Sequence, residues 1–226
     1  MAWHDRRAIV AGGTAGFGLV LARHLALAGA RVIVVGRSSA GVRAALEACE
    51  RAGAPSTSVH GLAADLARAG EGDRVAAEAG RILGGIDDVF FCVGRSGRAA
   101  ILQASRATLQ EYLDANLLAA VELTQAVADD VAKARGHLVY IGSLAGKIVM
   151  PFMGPYSVAK SALAAYVDAV GSNWHRAARM SCSCRPARSA ARPTTLPPIE
   201  PRPATPPKLP QQACRRKQPF LAVRRA

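Results

Sequence analysis

The chain has 226 residues, of which 50% are hydrophobic and 20% charged, a composition that fits one globular domain and excludes fibrous, wholly disordered and disulfide-scaffold proteins. Its net charge of +13 is unevenly spread, since residues 1–176 hold 18 Lys and Arg against 15 Asp and Glu, whereas residues 177–226 hold 11 against one. All 21 glycines precede residue 176 and ten of the 13 prolines follow it, so we predict a catalytic domain over residues 1–176 and a basic, disordered tail over residues 177–226.

The N-terminus predicts a cytoplasmic protein. Charged or ionisable side chains occupy positions 4–7 and the next apolar run is broken at Gly12, so we expect neither a signal peptide nor a membrane span. The five cysteines are odd in number and have no framework spacing, which favours a reducing compartment. We expect no metal site, because Cys182 and Cys184 lack further cysteine or histidine ligands at useful spacing.

Short apolar runs alternate with helix-forming segments along the first 176 residues. The predicted strands cover residues 8–11, 31–35, 58–60, 86–93 and 136–142, and the predicted helices residues 19–28, 42–51, 75–83, 108–133 and 156–175. The fourth strand has too few polar residues for a sheet with one face in water. We therefore predict an α/β fold, a Rossmann-like doubly wound parallel sheet with helices on both sides.

A glycine-rich turn joins the first strand to the first helix. Its glycines allow positive φ and close approach of a pyrophosphate, and the helix that follows offers unbonded N–H groups. The turn therefore predicts a dinucleotide site, although a purely structural turn has the same pattern. The residues predicted to bind the cofactor here are Gly12, Thr14, Gly16, Phe17 and Gly18.

Two further segments extend the predicted cofactor site. Arg37 follows the second strand, where no carboxylate is present to accept ribose hydroxyls, so NADP(H) is favoured over NAD(H) through pairing with the 2′-phosphate. A solvated loop arginine is the alternative. Asp65 and Leu66 follow the third strand, where Asp65 would either bond the adenine amino group or cap a helix.

The candidate catalytic residues are a tyrosine, a lysine and a serine. Tyr156 and Lys160 are four residues apart on one predicted helix and hence share a face, where the ammonium favours the phenolate. Ser143 lies just past the fifth strand, at the edge where open α/β sheets bind ligands, and its hydroxyl can donate to a substrate carbonyl.

Together these motifs resemble the short-chain dehydrogenase/reductase family over roughly residues 6–175. The resemblance rests on Gly12-x-x-x-Gly16-x-Gly18, Asp65-Leu66, Asn116, Ile141-Gly142-Ser143 and Tyr156-Ser-Val-Ala-Lys160, in this order and at these separations. It implies that Tyr156 is the general acid/base and Ser143 orients the carbonyl. It also implies that Lys160 assists the tyrosine and holds the nicotinamide ribose, and that Asn116 helps to hold a water-mediated proton path.

The chain departs from the family at two positions of the predicted cofactor site. Ala11 stands where the family usually has threonine, and Phe91-Cys92-Val93-Gly94 replaces the usual Asn-Asn-Ala-Gly. Gly94 keeps its place and is predicted to contact the cofactor. We expect both changes to loosen the site without removing its chemistry.

The chain after the tyrosine helix does not follow the family, which continues with a sixth strand, a Pro-Gly turn and a substrate-covering segment. Reading each codon after Val170 from its third base turns residues 173–175 into Leu-Ala and, with TCN codons for the serines, residues 180–184 into an apolar run. We hypothesise that a one-base shift near Gly171 replaced the C-terminal strands with a disordered tail. An uninterrupted DNA frame with the matching intact mass would refute this.

Three functions are consistent with these patterns. The first is an NADP(H)-dependent oxidoreductase acting on a small alcohol or carbonyl substrate, with homo-oligomers formed through residues 108–133 and 156–175. The second is an NADP(H)-binding but catalytically impaired product. The third is an α/β scaffold whose basic tail binds nucleic acid or acidic lipid, which is disfavoured because Phe220 is the only aromatic residue of the tail.

Overall fold

The computed structural model describes residues 3–149 and 151–174. The last residue of the predicted helix 156–175, the predicted tail and its boundary at residue 176 lie outside the described residues. Most of the chain affected by the proposed frame shift lies outside them too.

Five parallel strands form one sheet in the order β3-β2-β1-β4-β5. The strands are β1 Arg7–Ala11, β2 Arg31–Gly36, β3 Val59–Ala63, β4 Asp88–Phe91 and β5 His137–Tyr140. The central register aligns Val10 of β1 with Val34 on one side and Phe90 on the other. This confirms the predicted Rossmann-like parallel sheet, with a switch point beside β1. Within the described residues β5 pairs only with β4.

The described part of the chain has six α-helices, of which the last follows β5. They are α1 Gly16–Leu27, α2 Ser39–Arg51, α3 Glu71–Leu83, α4 Arg106–Leu113, α5 Ala119–Lys133 and α6 Gly154–Trp174. A π-helical turn, Asp114–Leu118, joins α4 to α5. The predicted helix 108–133 is therefore helical throughout, but its α-helical hydrogen bonds are replaced by π-helical ones at this turn. Two 3-10 turns, Ile101–Gln103 and Leu144–Gly146, were not predicted.

The core lies on both faces of the sheet. Residues Ala8 to Ala11 of β1 have no solvent-exposed area, and successive residues of the strand face opposite sides. Ile9 packs in a cluster with α3, α5 and α6, whereas Val10 packs in a second cluster with α1 and α2. Burial of β1 on both faces explains its continuous apolar sequence.

Ion pairs hold the amino-terminal ends of β1, β4 and β5 together. Asp88 is fully buried and accepts hydrogen bonds from Arg6 Nε at 2.7 Å and Nη2 at 2.6 Å. It also accepts from the His137 backbone N–H at 3.0 Å, and its carboxylate lies 2.8 Å from His137 Nδ1. Burial disfavours the ionised form of Asp87, yet hydrogen bonds from Arg7 outweigh it and hold the pKa of that carboxyl below its usual value.

No helix in residues 3–149 and 151–174 combines the length and apolar character needed to span a bilayer. The same residues contain no group of three or more His, Cys, Asp or Glu side chains arranged to hold a metal ion.

Candidate active site

The glycine-rich turn is folded tightly against the ends of β2 and β4. Gly12 has φ +80° and its N–H donates to the Val35 carbonyl at 2.9 Å. A Cβ at Gly12 would lie 2.9 Å from the backbone of Cys92. A Cβ at Gly18 would overlap the carbonyl oxygen of Gly12, so these two glycines allow the turn and α1 to pack backbone against backbone.

Gly16 faces open space instead of protein. Its φ is +53° and no atom lies within 4 Å of the position that a Cβ would occupy. The residue before α1, Ala15, makes no side-chain cap, and the first turn of α1 contains no acidic residue. The amino end of α1 thus presents N–H donors and a partial positive charge next to free space, which fits a phosphate group.

Two alanine substitutions are expected to separate the folding role of this turn from its binding role. Gly16→Ala should cost only about 1–2 kcal/mol of backbone strain but weaken NADPH binding at least about tenfold, since the methyl group would fill the space left for the phosphates. Gly18→Ala should destabilise the fold by about 3 kcal/mol through overpacking. Thermal melts and NADPH fluorescence titrations of both variants would measure this. Equal cofactor affinity in wild type and Gly16→Ala would contradict the predicted binding site.

A cleft of about 860 Å³ opens along the carboxyl ends of the strands, above the glycine-rich turn. Its lining includes every predicted cofactor-binding residue that precedes α6, namely Gly12, Thr14, Gly16, Phe17, Gly18, Arg37, Asp65, Leu66 and Gly94. Residues that were far apart in sequence therefore meet in one space, as expected for strand ends of a parallel sheet.

Arg37 lies at the end of β2, next to the turn. A Cβ at the preceding Gly36 would overlap Thr14, so β2 and the glycine-rich turn are in direct contact. Ser38 caps α2 by accepting a hydrogen bond from the Gly41 N–H at 3.2 Å. Arg37 is exposed and forms no ion pair with the rest of the described chain. Its cation is therefore available to a ligand in the cleft.

Asp65 forms a local turn in the cleft wall. Its Oδ1 accepts from the Ala67 N–H at 3.4 Å, and its Oδ2 lies 3.7 Å from Arg68 Nε. Since α3 begins only at Glu71, Asp65 does not cap a helix, and this alternative from the sequence was wrong. Asp65 lines the cleft, and its contact with an adenine amino group stays a prediction.

Asn116 fastens the loop after β4 to the helices behind it. The residue lies in the π-helical turn and is 2% exposed. Its Nδ2 donates to the carbonyls of Arg95 at 3.0 Å and Tyr112 at 2.9 Å, and its Oδ1 accepts from the Arg95 N–H at 3.2 Å. Gly94 lies against this amide, since a Cβ there would be 2.9 Å from Asn116 Oδ1. Both ends of the Asn116 side chain therefore position the wall of the cleft.

Helix α6 carries Tyr156 and Lys160. Lys160 is 5% exposed, and its Nζ donates to the carbonyl of Ile141, just past β5, at 3.1 Å. Tyr156 is half-buried one helical turn earlier, on the same face. The 3-10 turn after Ser143 packs on this helix: Ser161 Oγ donates to Gly146 O at 3.1 Å, and a Cβ at Gly146 would lie 2.8 Å from Lys160 O.

Ser143 begins that 3-10 turn. Its Oγ accepts from the Ala145 N–H at 3.2 Å, which leaves the hydroxyl proton available for donation. Ser143, Tyr156, Lys160 and Asn116 do not themselves line the 860 Å³ cleft, but two of its lining residues connect it to Lys160. Ile141 accepts the bond from Lys160 Nζ, and a Cβ at Gly94 would lie 3.5 Å from the same atom. Of the predicted catalytic residues, Lys160 and Asn116 thus contact the wall of the predicted cofactor site.

Sequence reasoning gave no role to several residues of this region. The carbonyl of Ile141 could have been found, because it follows β5 at the ligand-binding edge. Arg95 and Gly146 carried no signal, since their roles depend on contacts with Asn116 and Lys160. Cys92 was noted only as a departure, yet it lines the cleft, where burial raises the pKa of its thiol to about 11 against the opposing effect of Lys160.

Known proteins share both sequence and fold with the chain. The family model described as short chain dehydrogenase matches residues 6–184. The hydroxysteroid 11-beta-dehydrogenase 1-like protein of Bos taurus is 30% identical over 168 residues, covering 74% of this chain and 58% of that protein. The dehydrogenase/reductase SDR family member 7B of Rattus norvegicus is 34% identical over 168 residues, covering 71% of this chain and 50% of that protein. The chain thus spans between half and three-fifths of the length of these curated relatives.

Solved structures of short-chain dehydrogenases share the fold of this chain. A structure from Sinorhizobium meliloti, assigned as a short-chain alcohol dehydrogenase, has a TM-score of 0.71 and 28% identity, covering 76% of this chain and 68% of that one. A short-chain dehydrogenase/reductase of unknown function from Caenorhabditis elegans, solved with cofactor, has a TM-score of 0.72 and covers 78% of this chain and 67% of that one. Its 22% identity shows likeness of fold alone. From the family match together with the parallel sheet, the chain belongs to the short-chain dehydrogenase family of oxidoreductases.

Proposed function

We propose that the chain transfers a hydride between NADP(H) and an alcohol or carbonyl substrate. The observation that carries the proposal is the buried Lys160, whose ammonium bonds the carbonyl of Ile141, a residue of the cleft wall. Through this bond α6 brings Lys160, and Tyr156 one turn earlier, to the border of a cleft that also contains the glycine-rich turn. This contact supports proton transfer by a side chain of α6 beside the predicted dinucleotide site.

The charge of the cleft and the open space at its turn support binding of a dinucleotide. The amino end of α1 and the open space at Gly16 suit its phosphates, and the exposed cation of Arg37 suits a 2′-phosphate. Asp65 suits an amino group of adenine. When bound, the nicotinamide would supply or accept the hydride.

Proton transfer would be carried out by Tyr156. Tyr156 lies one helical turn before the buried Lys160, and its hydroxyl would give a proton to the substrate oxygen or take one from it. Ser143 would donate its free hydroxyl proton in a hydrogen bond to the substrate oxygen. In this arrangement the two hydroxyls share one substrate oxygen, and Lys160 stays buried behind them.

Asn116 would act as a positioning residue in this scheme. Its side-chain amide is engaged on both ends by Arg95 and Tyr112. This supports a role in shaping the π-helical turn and the loop around the proton path that the family resemblance implies.

The preference for NADP(H) is expected to depend on Arg37. A hydrogen bond to a charged group contributes about 1.5–3 kcal/mol, so Arg37→Ala should weaken NADPH binding about 10- to 100-fold and leave NADH binding unchanged. Cofactor fluorescence titrations would measure both constants. Arg43→Ala, which removes an exposed cation from α2 outside the cleft, is the matched control. Equal affinity of the wild type for NADPH and NADH would contradict the preference.

Two further parts of the proposal concern assembly and location. Assembly into a homo-oligomer through residues 108–133 and 156–175 stays a prediction from the sequence. The cytoplasmic location stays a prediction from the sequence.

A further inference from the structure

Exposed apolar side chains are concentrated beside the predicted catalytic residues. Six of the eleven large hydrophobic residues exposed in the described chain lie in two short segments, residues 101–102 and 144–152. We call them the apolar rim: Ile101, Leu102, Leu144, Ile148, Val149 and Phe152. Their exposed fractions run from 48% for Ile101 to 98% for Leu102. Clustering of this kind marks a binding surface more often than singly scattered residues do.

Backbone contacts place the rim next to Ser143 and Tyr156. Leu144 directly follows Ser143. The Ile148 N–H donates to the carbonyl of Leu144 at 2.9 Å. On the other side Ala99 forms a parallel bridge with Met153, and its N–H donates to Phe152 O at 2.6 Å. A Cβ at Gly154, two residues before Tyr156, would overlap Ile101, so the segment around Ile101 lies against the start of α6.

Phe152 is held in an unfavourable backbone conformation. Its φ is +61°, a region that costs a bulky residue about 1–2 kcal/mol, and the bond from the Ala99 N–H helps to maintain it. The ring is nonetheless 64% exposed, so burial of the ring does not offset this cost. Strain that presents an aromatic ring to solvent next to reacting groups is typical of ligand-binding segments.

The polar groups of these segments do not suit a sugar-like substrate. Residues 94–110 and 141–167 contain no carboxylate, and their side-chain amides are limited to Gln103 and Gln110, so these segments offer few acceptors for several hydroxyl groups at once. Since Leu144 follows Ser143 and Ile101 lies against the start of α6, a substrate bonded to Ser143 and Tyr156 would place its remaining atoms near the rim. Burial of apolar carbon there is favourable by about 25 cal/mol per Å².

We propose that the apolar rim binds the carbon skeleton of the substrate, and that the substrate class is a bulky apolar ketone or the corresponding secondary alcohol. Ile101 and Phe152 are the specificity-determining residues. This inference rests on the proposed function for the identity of the reacting groups. It goes beyond that function in naming the part of the substrate that is recognised.

The test measures binding of three ketones to the full chain by ligand-observed NMR titration, with and without NADP⁺. The probes are 2-decalone, cyclohexanone and dihydroxyacetone. We expect 2-decalone to bind about tenfold more tightly than cyclohexanone, since its second ring adds apolar surface, and dihydroxyacetone to bind most weakly. Similar dissociation constants for all three ketones would overturn the proposal.

Substitutions in the apolar rim test whether its residues cause the tighter binding of 2-decalone. Ile101→Ala and Phe152→Asn should each weaken binding of 2-decalone about five- to tenfold and leave cyclohexanone and NADPH binding unchanged. Asparagine tolerates positive φ, so Phe152→Asn removes the ring without breaking the turn, and Phe152→Leu should retain most of the affinity. Leu27→Ala removes a 51% exposed leucine from the end of α1 and is the matched control. Thermal melts verify folding.

The outcomes separate this inference from the proposed function. Loss of NADPH binding with Ile101-dependent binding of 2-decalone would refute the proposed cofactor and retain the rim as an apolar binding site. Tight NADPH binding with no response of 2-decalone to either variant would refute the rim alone. A change in sedimentation of Ile101→Ala, with no change in ketone binding, would assign the surface to a second copy of the chain and overturn the proposal.

Discussion

Replacing Tyr156 with phenylalanine is expected to reduce ketone turnover about 10²- to 10⁴-fold, the contribution of a positioned acid/base group. The substitution removes one hydroxyl and leaves the ring, so α6 should keep its packing. NADPH affinity should stay within about twofold of wild type, because the turn, Arg37 and Lys160 are all retained. NADPH consumption with 2-decalone as substrate measures the first quantity, and cofactor fluorescence measures the second.

Tyr166→Phe is the matched control for this variant. Tyr166 lies ten residues further along α6, where burial raises the pKa of its phenol against the opposing effect of a hydrogen bond with Thr124. Losing that hydroxyl should cost about 1 kcal/mol of stability and leave turnover unchanged. Equal activity of wild type and Tyr156→Phe would contradict the assignment of Tyr156 as the acid/base. Loss of turnover in both variants would point to damage to α6 instead.

Asp88→Ala is expected to destabilise the fold by about 3–5 kcal/mol, the usual cost of removing one partner from a buried ion pair. The carboxylate has no exposed area and connects Arg6 before β1 to His137 at the start of β5. Without it the partly buried Arg6 guanidinium loses its acceptor, and the His137 backbone N–H keeps only its bond to the Asp87 carbonyl at 3.2 Å. Urea denaturation at neutral pH, with the slope compared between variants, measures the change.

Glu47→Gln provides the control for the Asp88 variant. Glu47 pairs with Arg51 at 3.5 Å on the surface of α2, where both side chains are more than half exposed. Exposed pairs of this kind contribute about 0–1 kcal/mol. A loss of less than about 1 kcal/mol in Asp88→Ala would mean that the buried network does not hold β5 to the sheet.

The strands were readily predicted from the sequence, whereas their ends and one helix were not. Continuous β-branched or apolar runs identified β1 and β2 because both faces of the sheet are covered. The predicted strand 58–60 was too short, since pairing of Gly61 to Ala63 with β2 extends β3 through residues whose own pattern is weak. The π-helical turn had no signal either, because it depends on what Asn116 contacts and not on the helical period.

The candidate site was predictable as far as its residues follow strand ends. Gly12, Arg37 and Asp65 come after β1, β2 and β3, and the topology of a parallel sheet brings such positions together. What could not be predicted are the contacts that orient them. The bond from Lys160 to the Ile141 carbonyl joins α6 to β5, and the Asn116 amide joins a helix to the loop at Arg95. Both depend on the folded arrangement of segments far apart in the chain.

The π-helical turn Asp114–Leu118 amounts to one extra residue in an otherwise continuous helix. Since each helical residue advances by about 100°, the extra residue rotates the side chains of α4 against those of α5 by about that angle. This is how Tyr112 can face the loop at Arg95 while Leu123 faces the sheet. Losing any one residue here would realign the two helices and turn the Asn116 amide away from Arg95. In this part of the protein the number of residues therefore positions the site, in addition to their identity.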